Sequence, residues 1–333
     1  MDISGAFDGA TYKEIIKSMK QSNAPVAFVN FYSNFLSNRQ TTIQLGSHQK
    51  TKSLTVGVSQ GSILSPPAWN FFTLDLQKSC NKGPHKVIVY ADDVSGYNSG
   101  PNLKTVVRQA NENAKNITNW LKKHNLKVKP EKCEVIYFNK TRKEPKDKVK
   151  IDNVVKEYAK ETKYLGVTIS KGLNFSSHIN DKIAKAHKKL WMFKLAIAKT
   201  WGPNPRLISY MYKQIILPGI LYACFAWAHL INLTQNKKFH RLNSLAMRLV
   251  APIHKSTPIE GLQAILGIPP INIVAKYKSI NTILRLGRPS SPIWDGVITH
   301  ANGNINKSRT GFYKHWDKLI PKEVSKELSL IHI

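Results

Sequence analysis

Apolar residues recur with two different spacings along this chain, and the change of spacing divides the sequence into two halves. The first half alternates short β-prone runs, such as Val87–Val89 and Val94–Tyr97, with one long helical pattern from Asn102 to His124. In the second half only the helical spacing continues. Its clearest apolar stripe steps by four, three, four, three and four residues, through Ile179, Ile183, Ala186, Leu190, Phe193 and Ile197. The pattern therefore predicts an α+β first half followed by a helical second half.

Turn and capping signals place the elements of the first half. Thr11 and Glu14 have the spacing of a capping box, so a helix should begin there and run to about Lys20. The segment 39–57 predicts a β-ribbon. Three further strands are predicted after the long helix, at Val135–Phe138, Val149–Ile151 and Tyr164–Ile169.

Prolines punctuate the helical second half. Pro205 can start a helix, which Pro218 should kink or end because its ring removes a backbone hydrogen bond. Thr257 is predicted as the N-cap of another helix, with Pro258 at the first helical position. A last helix is predicted over Ile273–Leu286.

Two adjacent carboxylates, Asp92 and Asp93, lie between two of the β-prone runs. This arrangement predicts a hairpin with the pair at its tip. Adjacent carboxylates repel each other, and a divalent cation such as Mg²⁺, which prefers oxygen ligands, would neutralise them. Asp2 would supply a carboxylate from a second chain segment, as a site for two ions needs. The alternative is an ordinary solvated turn, since Asp is a common turn residue.

Five short motifs, the Asp pair among them, follow one another along residues 1–169. They read D-x-x-x-A-F-D from Asp2, S-Q-G-S-x-L-S-P from Ser59, Y-A-D-D from Tyr90, N-L-K-x-x-P-x-K-C-E-V-I from Asn125, and Y-L-G-V from Tyr164. In this order and spelling the chain resembles the reverse transcriptases of non-LTR (LINE-like) retrotransposons. The segments Leu217–Tyr222 and Ser256–Pro270 resemble, less sharply, the region that follows the polymerase core of these elements.

The resemblance implies a catalytic centre. Asp2 and Asp92 would hold two Mg²⁺ ions, with Asp93 assisting and Mn²⁺ as a possible replacement. Lys132 occupies the position of a lysine that would protonate the departing pyrophosphate. The alternative reading of Lys132 is a solvated surface charge, because this chain is rich in lysine.

The resemblance also implies residues that position the substrates. Phe7 would lie against the sugar of the incoming nucleotide and favour deoxynucleotides, although the same ring could belong to the core. Gln60 and Gly61 would line the nucleotide and template pocket. Tyr164–Gly166 would belong to the strand that grips the primer end.

The family fold implied for residues 1–170 is a polymerase palm, an antiparallel sheet with helices on one face, together with a remnant of the fingers. Residues 171–287 would form a helical thumb-like region, and residues 288–333 carry no pattern that we interpret. The partners implied are an RNA template, a DNA primer and deoxynucleoside triphosphates. No oligomeric state follows from the sequence.

Charge agrees with a nucleic-acid partner. Lys and Arg outnumber Asp and Glu by 50 to 20, and residues 1–100 carry only 9 basic and 6 acidic side chains of these totals. The excess therefore lies downstream, where a duplex would rest, and binding should depend strongly on salt. In the striped helix, Lys182, Lys185 and Lys189 share a second face that we interpret as a contact to the template–primer backbone. An ordinary solvated face is the alternative.

Other features exclude some classes of protein. Cys80, Cys133 and Cys224 have no metal-site spacing, which favours a reducing compartment. No apolar signal-peptide region follows Met1, so an intracellular protein, nuclear or cytoplasmic and not secreted, is expected. The apolar stretch Ile215–Ile231 is interrupted and short of a membrane span, and predicts a buried helix.

Two functions remain open. The first is an RNA-directed DNA polymerase that adds deoxynucleotides to a primer 3′-hydroxyl by a two-metal mechanism. The second is a catalytically incomplete nucleic-acid-binding remnant, because only Met1 precedes Asp2 and the upstream fingers are missing from the sequence. Phe7 and Ala91 disfavour a third possibility, an RNA-dependent RNA polymerase. The sequence is thus interpreted as a piece of a larger element protein.

Overall fold

The computed structural model describes residues 1, 3–59, 61–81, 83, 85–138, 145–195, 202–251, 253–254 and 256–285. The chain divides into two compact units, Met1–Thr162 and Lys163–Ile333. Each unit has its own cluster of buried apolar side chains. They are described separately as the first and the second unit.

Five helices of the first unit surround its core. They are α1 (Ala6–Gly9), α2 (Tyr12–Gln21), α3 (Val26–Leu36), α4 (Ser65–Cys80) and α5 (Leu103–Lys123). As predicted, Thr11 caps α2, because its hydroxyl accepts the Glu14 N–H and donates to the Glu14 carboxylate. Asn102 caps α5 by accepting the Thr105 N–H at 2.8 Å. These caps explain why both helices begin where the sequence predicted.

The strands of the described first unit pair two by two and antiparallel. The pairs are β1 (Ile3–Ser4) with β6 (Lys127–Val128), β2 (Gln40–Leu45) with β3 (His48–Ser53), β4 (Lys86–Tyr90) with β5 (Asp93–Tyr97), and β7 (Val149–Ile151) with β8 (Val154–Lys156). Met1 connects two of these pairs, since its amine and carbonyl bond to the Val94 backbone at 2.6 and 3.1 Å. The fold is therefore mixed, with helices and small antiparallel strand pairs.

The predicted ribbon is the β2–β3 hairpin, and every residue of both strands is exposed. One of its faces places Thr41, Ile43 and Leu45 of β2 opposite Lys52, Lys50 and His48 of β3. The ribbon is held at its base by Arg39, whose guanidinium donates to the Tyr12 hydroxyl and the Gly57 carbonyl, both at 3.1 Å.

One predicted strand of the first unit is wrong. Val135–Phe138 does not form a strand; it makes a single β-bridge, between Val135 and Tyr158. The apolar run therefore predicts the wrong element, because the segment beside it pairs with its backbone at one residue only. Asp152 and Asn153 form the turn that joins β7 to β8, with φ of +47° and +68°.

The hairpin of β9 (Glu161–Tyr164) and β10 (Val167–Ser170) leads into the second unit. Its form corrects the prediction of one strand over Tyr164–Ile169, because Leu165 and Gly166 have positive φ and reverse the chain. The long helix α6 (Ser176–Leu195) follows. Four residues of the predicted stripe are buried in α6, namely Ile179, Ile183, Ala186 and Leu190, while Ile197 lies outside the described residues.

The other described helices of the second unit are α7 (Pro205–Met211), a π-helix (Tyr212–Ile216), α8 (Leu217–Ile220), α9 (Cys224–Trp227), a 3₁₀ turn (Ala228–Leu230), α10 (Leu233–Val250), α11 (Ile259–Leu266) and α12 (Ile271–Arg285). Of these, α10 and α12 are long and the rest are short. The π-helix comes immediately before the turn that contains Pro218, so the predicted interruption is present. The single buried helix predicted over Ile215–Ile231 is wrong, since this segment is broken into pieces. Among the described helices, none has the length and apolar character of a membrane span.

Two helix boundaries differ from the prediction. Pro258, not Thr257, is the N-cap of α11, because its extended backbone (ψ 138°) lies just outside the helix. The last helix begins at Ile271 and not at Ile273, so the two residues after Pro270 already belong to it.

Candidate active site

The Asp92–Asp93 pair lies at the tip of the β4–β5 hairpin, as predicted. Five opposed residue pairs join the strands, and the last, Tyr90 with Asp93, leaves Ala91 and Asp92 as the loop. Val94 is buried, whereas both carboxylates are exposed. The hairpin therefore fixes its base in the core and presents two negative charges to solvent.

An indole anchors this turn. Ala91 has a φ of +51°, a left-handed conformation that residues with a Cβ adopt at a cost. The Trp69 Nε1–H donates to the Ala91 carbonyl at 2.6 Å, from a position on α4 where Trp69 is 1% exposed. The sequence pattern alone did not single out Trp69. The available signal was that a buried tryptophan needs an acceptor for its N–H.

Phe7 lies beside the same indole. Its ring centroid is 5.0 Å from that of Trp69, and the two planes are inclined by 43°. Phe7 is half-buried against the core, so the structure fits both a sugar-facing ring and a core ring. Trp69 thus links the first motif, through Phe7, to the carboxylate turn, through Ala91.

The backbone before the second motif runs along the first motif. The N–H groups of Gly57 and Val58 donate to the carbonyls of Ala10 and Phe7, at 2.8 and 2.7 Å. Gly57 has a φ of +88°, and a Cβ placed on it would lie 3.3 Å from the Asp8 Cα. Glycine therefore allows the close approach of these two segments.

The loop of the second motif is held from both sides. The Ser65 hydroxyl donates to the Ser59 carbonyl at 2.5 Å, and the Tyr32 hydroxyl donates to the Leu64 carbonyl at 2.8 Å. Gly61, exposed and left-handed at φ +88°, lies in this loop. Gln60 lies outside the described residues.

Asp2 also lies outside the described residues, but its two neighbours in sequence do not. Met1 pairs with Val94, the residue after Asp93, and Ile3 pairs with Val128 of β6. The backbone on either side of Asp2 is therefore joined to the carboxylate hairpin and to the start of the fourth motif.

Lys132 lies four residues after β6, at the end of a 3₁₀ turn over Pro130–Lys132. Its side chain is exposed, and its N–H donates to the Lys129 carbonyl at 3.1 Å. The strand pair β1–β6 thus connects the segment that carries Lys132 to the first motif.

Tyr164, Leu165 and Gly166 belong to the second unit, at the turn of the β9–β10 hairpin. Leu165 contacts Tyr222 of the same unit, whose hydroxyl donates to the Leu165 carbonyl at 2.7 Å. Sequence reasoning did not single out Tyr222.

The donor set of the site suits Mg²⁺. Asp92 and Asp93 offer adjacent, exposed carboxylate oxygens, and Mg²⁺ uses one or two carboxylates together with substrate phosphates. Within the described ranges no group of three or more His, Cys, Asp or Glu side chains is placed for a metal ion. A third carboxylate would come from Asp2.

Comparisons with known proteins agree with these motifs. A family model described as reverse transcriptase (RNA-dependent DNA polymerase) matches residues 1–169. A probable RNA-directed DNA polymerase from transposon BS of Drosophila melanogaster is 24% identical over 262 residues, which are 76% of this chain and 28% of that protein. An RNA-directed DNA polymerase from mobile element jockey of Drosophila funebris is 25% identical over 230 residues, 67% of this chain and 25% of that protein.

A third relative, a retrovirus-related Pol polyprotein from type-1 retrotransposable element R1 of Nasonia vitripennis, is 22% identical over 230 residues. These are 65% of this chain and 66% of that protein. The aligned part of the chain spans about a quarter of the length of the BS and jockey proteins.

Proposed function

Because the chain belongs to the reverse transcriptase (RNA-dependent DNA polymerase) family, we propose that it acts as the RNA-directed DNA polymerase domain of a non-LTR retrotransposon. It would add deoxynucleotides to the 3′-hydroxyl of a DNA primer paired with an RNA template. The observation that carries the proposal is the Asp92–Asp93 turn, whose backbone is held by the Trp69 indole beside Phe7.

In this proposal the carboxylates of Asp2, Asp92 and Asp93 hold two Mg²⁺ ions, which would stabilise the attacking and leaving oxygens of the phosphoryl transfer. What supports the assignment of Asp92 and Asp93 is that the Trp69–Ala91 bond restrains the turn that carries them. What supports including Asp2 is that Met1, just before it, bonds to Val94, just after Asp93.

Other residues of the first unit take roles around the reacting phosphate. Phe7 faces the sugar of the incoming nucleotide and disfavours a 2′-hydroxyl by contact. Gln60 and Gly61 line the nucleotide and template pocket. Lys132 donates a proton to the departing pyrophosphate. The exposed position of Lys132 supports this role, because a proton donor must reach the substrate.

In this proposal the chain divides into a palm and a thumb, whose boundary at residue 170 lies eight residues beyond the end of the first unit. In this assignment residues 1–170 form the palm with a remnant of the fingers, residues 171–287 form a helical thumb, and Tyr164–Gly166 grip the primer end. Lys182, Lys185 and Lys189 on α6 lie along the phosphate backbone of the duplex. Two observations support this role of α6. Lys185 and Lys189 are exposed, and Asp181 is the one acidic residue of α6 that offsets the positive charge of its lysines.

The second candidate function is nucleic-acid binding without turnover. The observation that favours it is the charge distribution, because the basic excess lies outside the segment that carries the catalytic carboxylates. Binding and chemistry are therefore separable in an experiment.

Primer extension on an RNA template, with deoxynucleotides and Mg²⁺, tests the proposal. Asp92→Asn keeps the shape of the turn residue and removes its charge, so extension should fall by at least about 100-fold while duplex affinity, measured by fluorescence anisotropy, is kept. Asp152→Asn is the matched control, since Asp152 is also a hairpin-turn residue of the first unit but lies in the β7–β8 turn. It should extend the primer normally.

Extension that persists in Asp92→Asn would refute the site assignment. A wild-type chain that binds the duplex but never extends the primer would instead support the second candidate function.

A further inference from the structure

The turn between β9 and β10 has a conformation that one of its residues disfavours. Leu165 and Gly166 have φ of +45° and +76°, the left-handed pair of a type I′ hairpin turn. Glycine adopts this conformation freely, but leucine does not, because its Cβ approaches the carbonyl oxygen. Some other contact must hold Leu165 there.

Tyr222 makes that contact. Its hydroxyl donates to the Leu165 carbonyl at 2.7 Å, across 57 positions of sequence. Its ring also covers the second turn residue, since a Cβ on Gly166 would lie 3.3 Å from the Tyr222 ring. One side chain therefore contacts both residues of the turn.

Tyr222 is in turn held in place. The buried Trp227 donates its Nε1–H to the Tyr222 carbonyl at 3.1 Å, and the Lys182 ammonium lies 4.8 Å from the centre of the Tyr222 ring. Ala223, the next residue, has a φ of +52°, so the chain bends sharply after Tyr222. The backbone and the ring of Tyr222 are thus both restrained.

The strand that leaves the turn has a second attachment. The Thr168 N–H donates to Nδ1 of His178 at 3.1 Å, and His178 is fully buried on α6. Burial, with the nearby Lys182 ammonium, lowers the pKa of His178 to about 4, so its ring is neutral and can accept this bond at pH 7. The base of β10 is therefore fixed to α6, and the tip is fixed to Tyr222.

A second hairpin reaches the same backbone conformation with turn residues that favour it, and there the Lys122 ammonium bonds to the Asp152 carboxylate at 2.6 Å. The β7–β8 turn has the same left-handed pair at Asp152 and Asn153. Asn and Asp tolerate this conformation because their side chains bond to the local backbone. The leucine side chain cannot form such a bond. The Tyr222 hydroxyl instead bonds to the Leu165 carbonyl and stabilises the β9–β10 turn.

We propose that Tyr222 is a positioning residue that holds the Leu165–Gly166 turn in its left-handed form, and so places the turn that contacts the primer end. The second half of this statement rests on the proposed function. The first half rests on the contacts alone. Tyr222 is 48% exposed, so its hydroxyl can be removed without opening the core.

Tyr222→Phe removes only the hydroxyl. In primer extension we expect the apparent KM for the primer–template to rise about fivefold while the KM for deoxynucleotides stays unchanged, as the loss of one hydrogen bond at the primer turn would give. Tyr210→Phe is the matched control, because Tyr210 is an exposed tyrosine of α7 in the same unit. It should leave both constants unchanged.

A rescue variant separates positioning from general damage. Leu165→Gly allows the turn to form without an anchor, so the double variant Leu165→Gly/Tyr222→Phe should regain the slow amide exchange of the turn that Tyr222→Phe loses. A double variant whose turn exchanges as fast as that of Tyr222→Phe would overturn the proposal, as would a Tyr222→Phe protein with wild-type kinetics.

Amide hydrogen exchange in a peptide covering 161–170 tests the turn independently of activity. Exchange should quicken severalfold in Tyr222→Phe and return towards wild type in the double variant. If wild type does not extend primers but exchange follows this order, the proposed function fails while the anchor stands. If exchange is the same in all variants, the anchor itself is refuted.

Discussion

The two hairpin turns to which we assign functions are built in the same way, although they lie in different units. In each, the first loop residue is not glycine yet has a left-handed backbone, with φ of +51° at Ala91 and +45° at Leu165. In each, an aromatic side chain donates a hydrogen bond to the carbonyl of that residue. The donor is the Trp69 indole at 2.6 Å in the first unit and the Tyr222 hydroxyl at 2.7 Å in the second.

The two anchors differ in burial, and this difference separates stability from function. Trp69 is 1% exposed and belongs to the core, whereas Tyr222 is 48% exposed. A change at Trp69 must therefore alter folding and the carboxylate turn together. A change at Tyr222 can alter its turn alone. The same local device is thus coupled to the core in one unit and nearly independent of it in the other.

The largest effect should come from Trp69→Phe. The variant removes the indole donor, leaves the Ala91 carbonyl without its partner and shrinks a core side chain, so we expect a loss of about 2–4 kcal/mol in the free energy of unfolding. Urea denaturation gives this value. Primer extension per folded molecule should fall as well, because the turn that carries Asp92 loses its restraint.

Trp120→Phe provides the matched control for that experiment. Trp120 is also in the core of the first unit, and its indole donates to the Asp75 carboxylate at 2.8 Å, away from the carboxylate turn. The Trp120→Phe variant should lose a comparable free energy of unfolding and keep its primer-extension activity per folded molecule. Equal losses of activity in both variants would show that the Trp69–Ala91 bond has no special role.

A smaller effect should appear on acidification, and only at the second hairpin. The folded chain resists protonation of His178 until about pH 4, while the unfolded chain takes up this proton near 6.5. The unfolded state therefore binds more protons between these values, and stability decreases as the pH falls through this window. An indole does not titrate, so the Trp69 anchor adds no such dependence.

Amide exchange of the 161–170 segment, corrected for its intrinsic pH dependence, reports this loss. The Lys182, Lys185 and Lys163 ammonium groups favour the neutral ring, and the Asp181 carboxylate opposes them. His178→Asn keeps an acceptor for the Thr168 N–H and cannot titrate, so its exchange should be independent of pH over the same window. If His178→Asn retained the full pH dependence of the wild type, another titrating group would be its cause.

The smallest effect concerns the strain at the first turn. Ala91→Gly removes the left-handed cost of about 1–2 kcal/mol and adds about 0.4–1 kcal/mol of backbone entropy to the unfolded chain. We expect a net gain of about 0.5 kcal/mol in the urea unfolding experiment. Asn153→Gly, at a turn residue that already tolerates positive φ, should give no gain. A loss of stability in Ala91→Gly would mean that the Ala91 methyl packs usefully.

The sequence predicted elements whose signals are local. The Thr11 cap of α2, the apolar stripe of α6 and the Asp92–Asp93 hairpin all follow from neighbouring residues, and the structure confirms them. The β9–β10 turn was missed, because a run of apolar residues around Leu165 has no period that reveals a reversal.

Contacts between residues that are distant in the sequence could not be predicted from it either. Trp69 and Ala91 are 22 positions apart, and Tyr222 and Leu165 are 57 positions apart. No local propensity encodes which carbonyl a buried indole or a half-exposed hydroxyl will reach. The roles assigned to Asp2, Gln60 and Lys132 stay predictions, since they depend on substrates and on residues outside the described ranges.

The β2–β3 ribbon has a practical consequence for preparing this protein. In the described chain neither strand pairs with a third, and β2 (Gln40–Leu45) carries no charged residue while Ile43 and Leu45 are 70% and 80% exposed. Lys50 and Lys52 on β3 discourage pairing with another chain, but nothing equivalent protects β2. Edge-to-edge aggregation in concentrated solution would therefore begin at β2, and a lysine in place of Thr42 is the simplest way to keep the protein soluble.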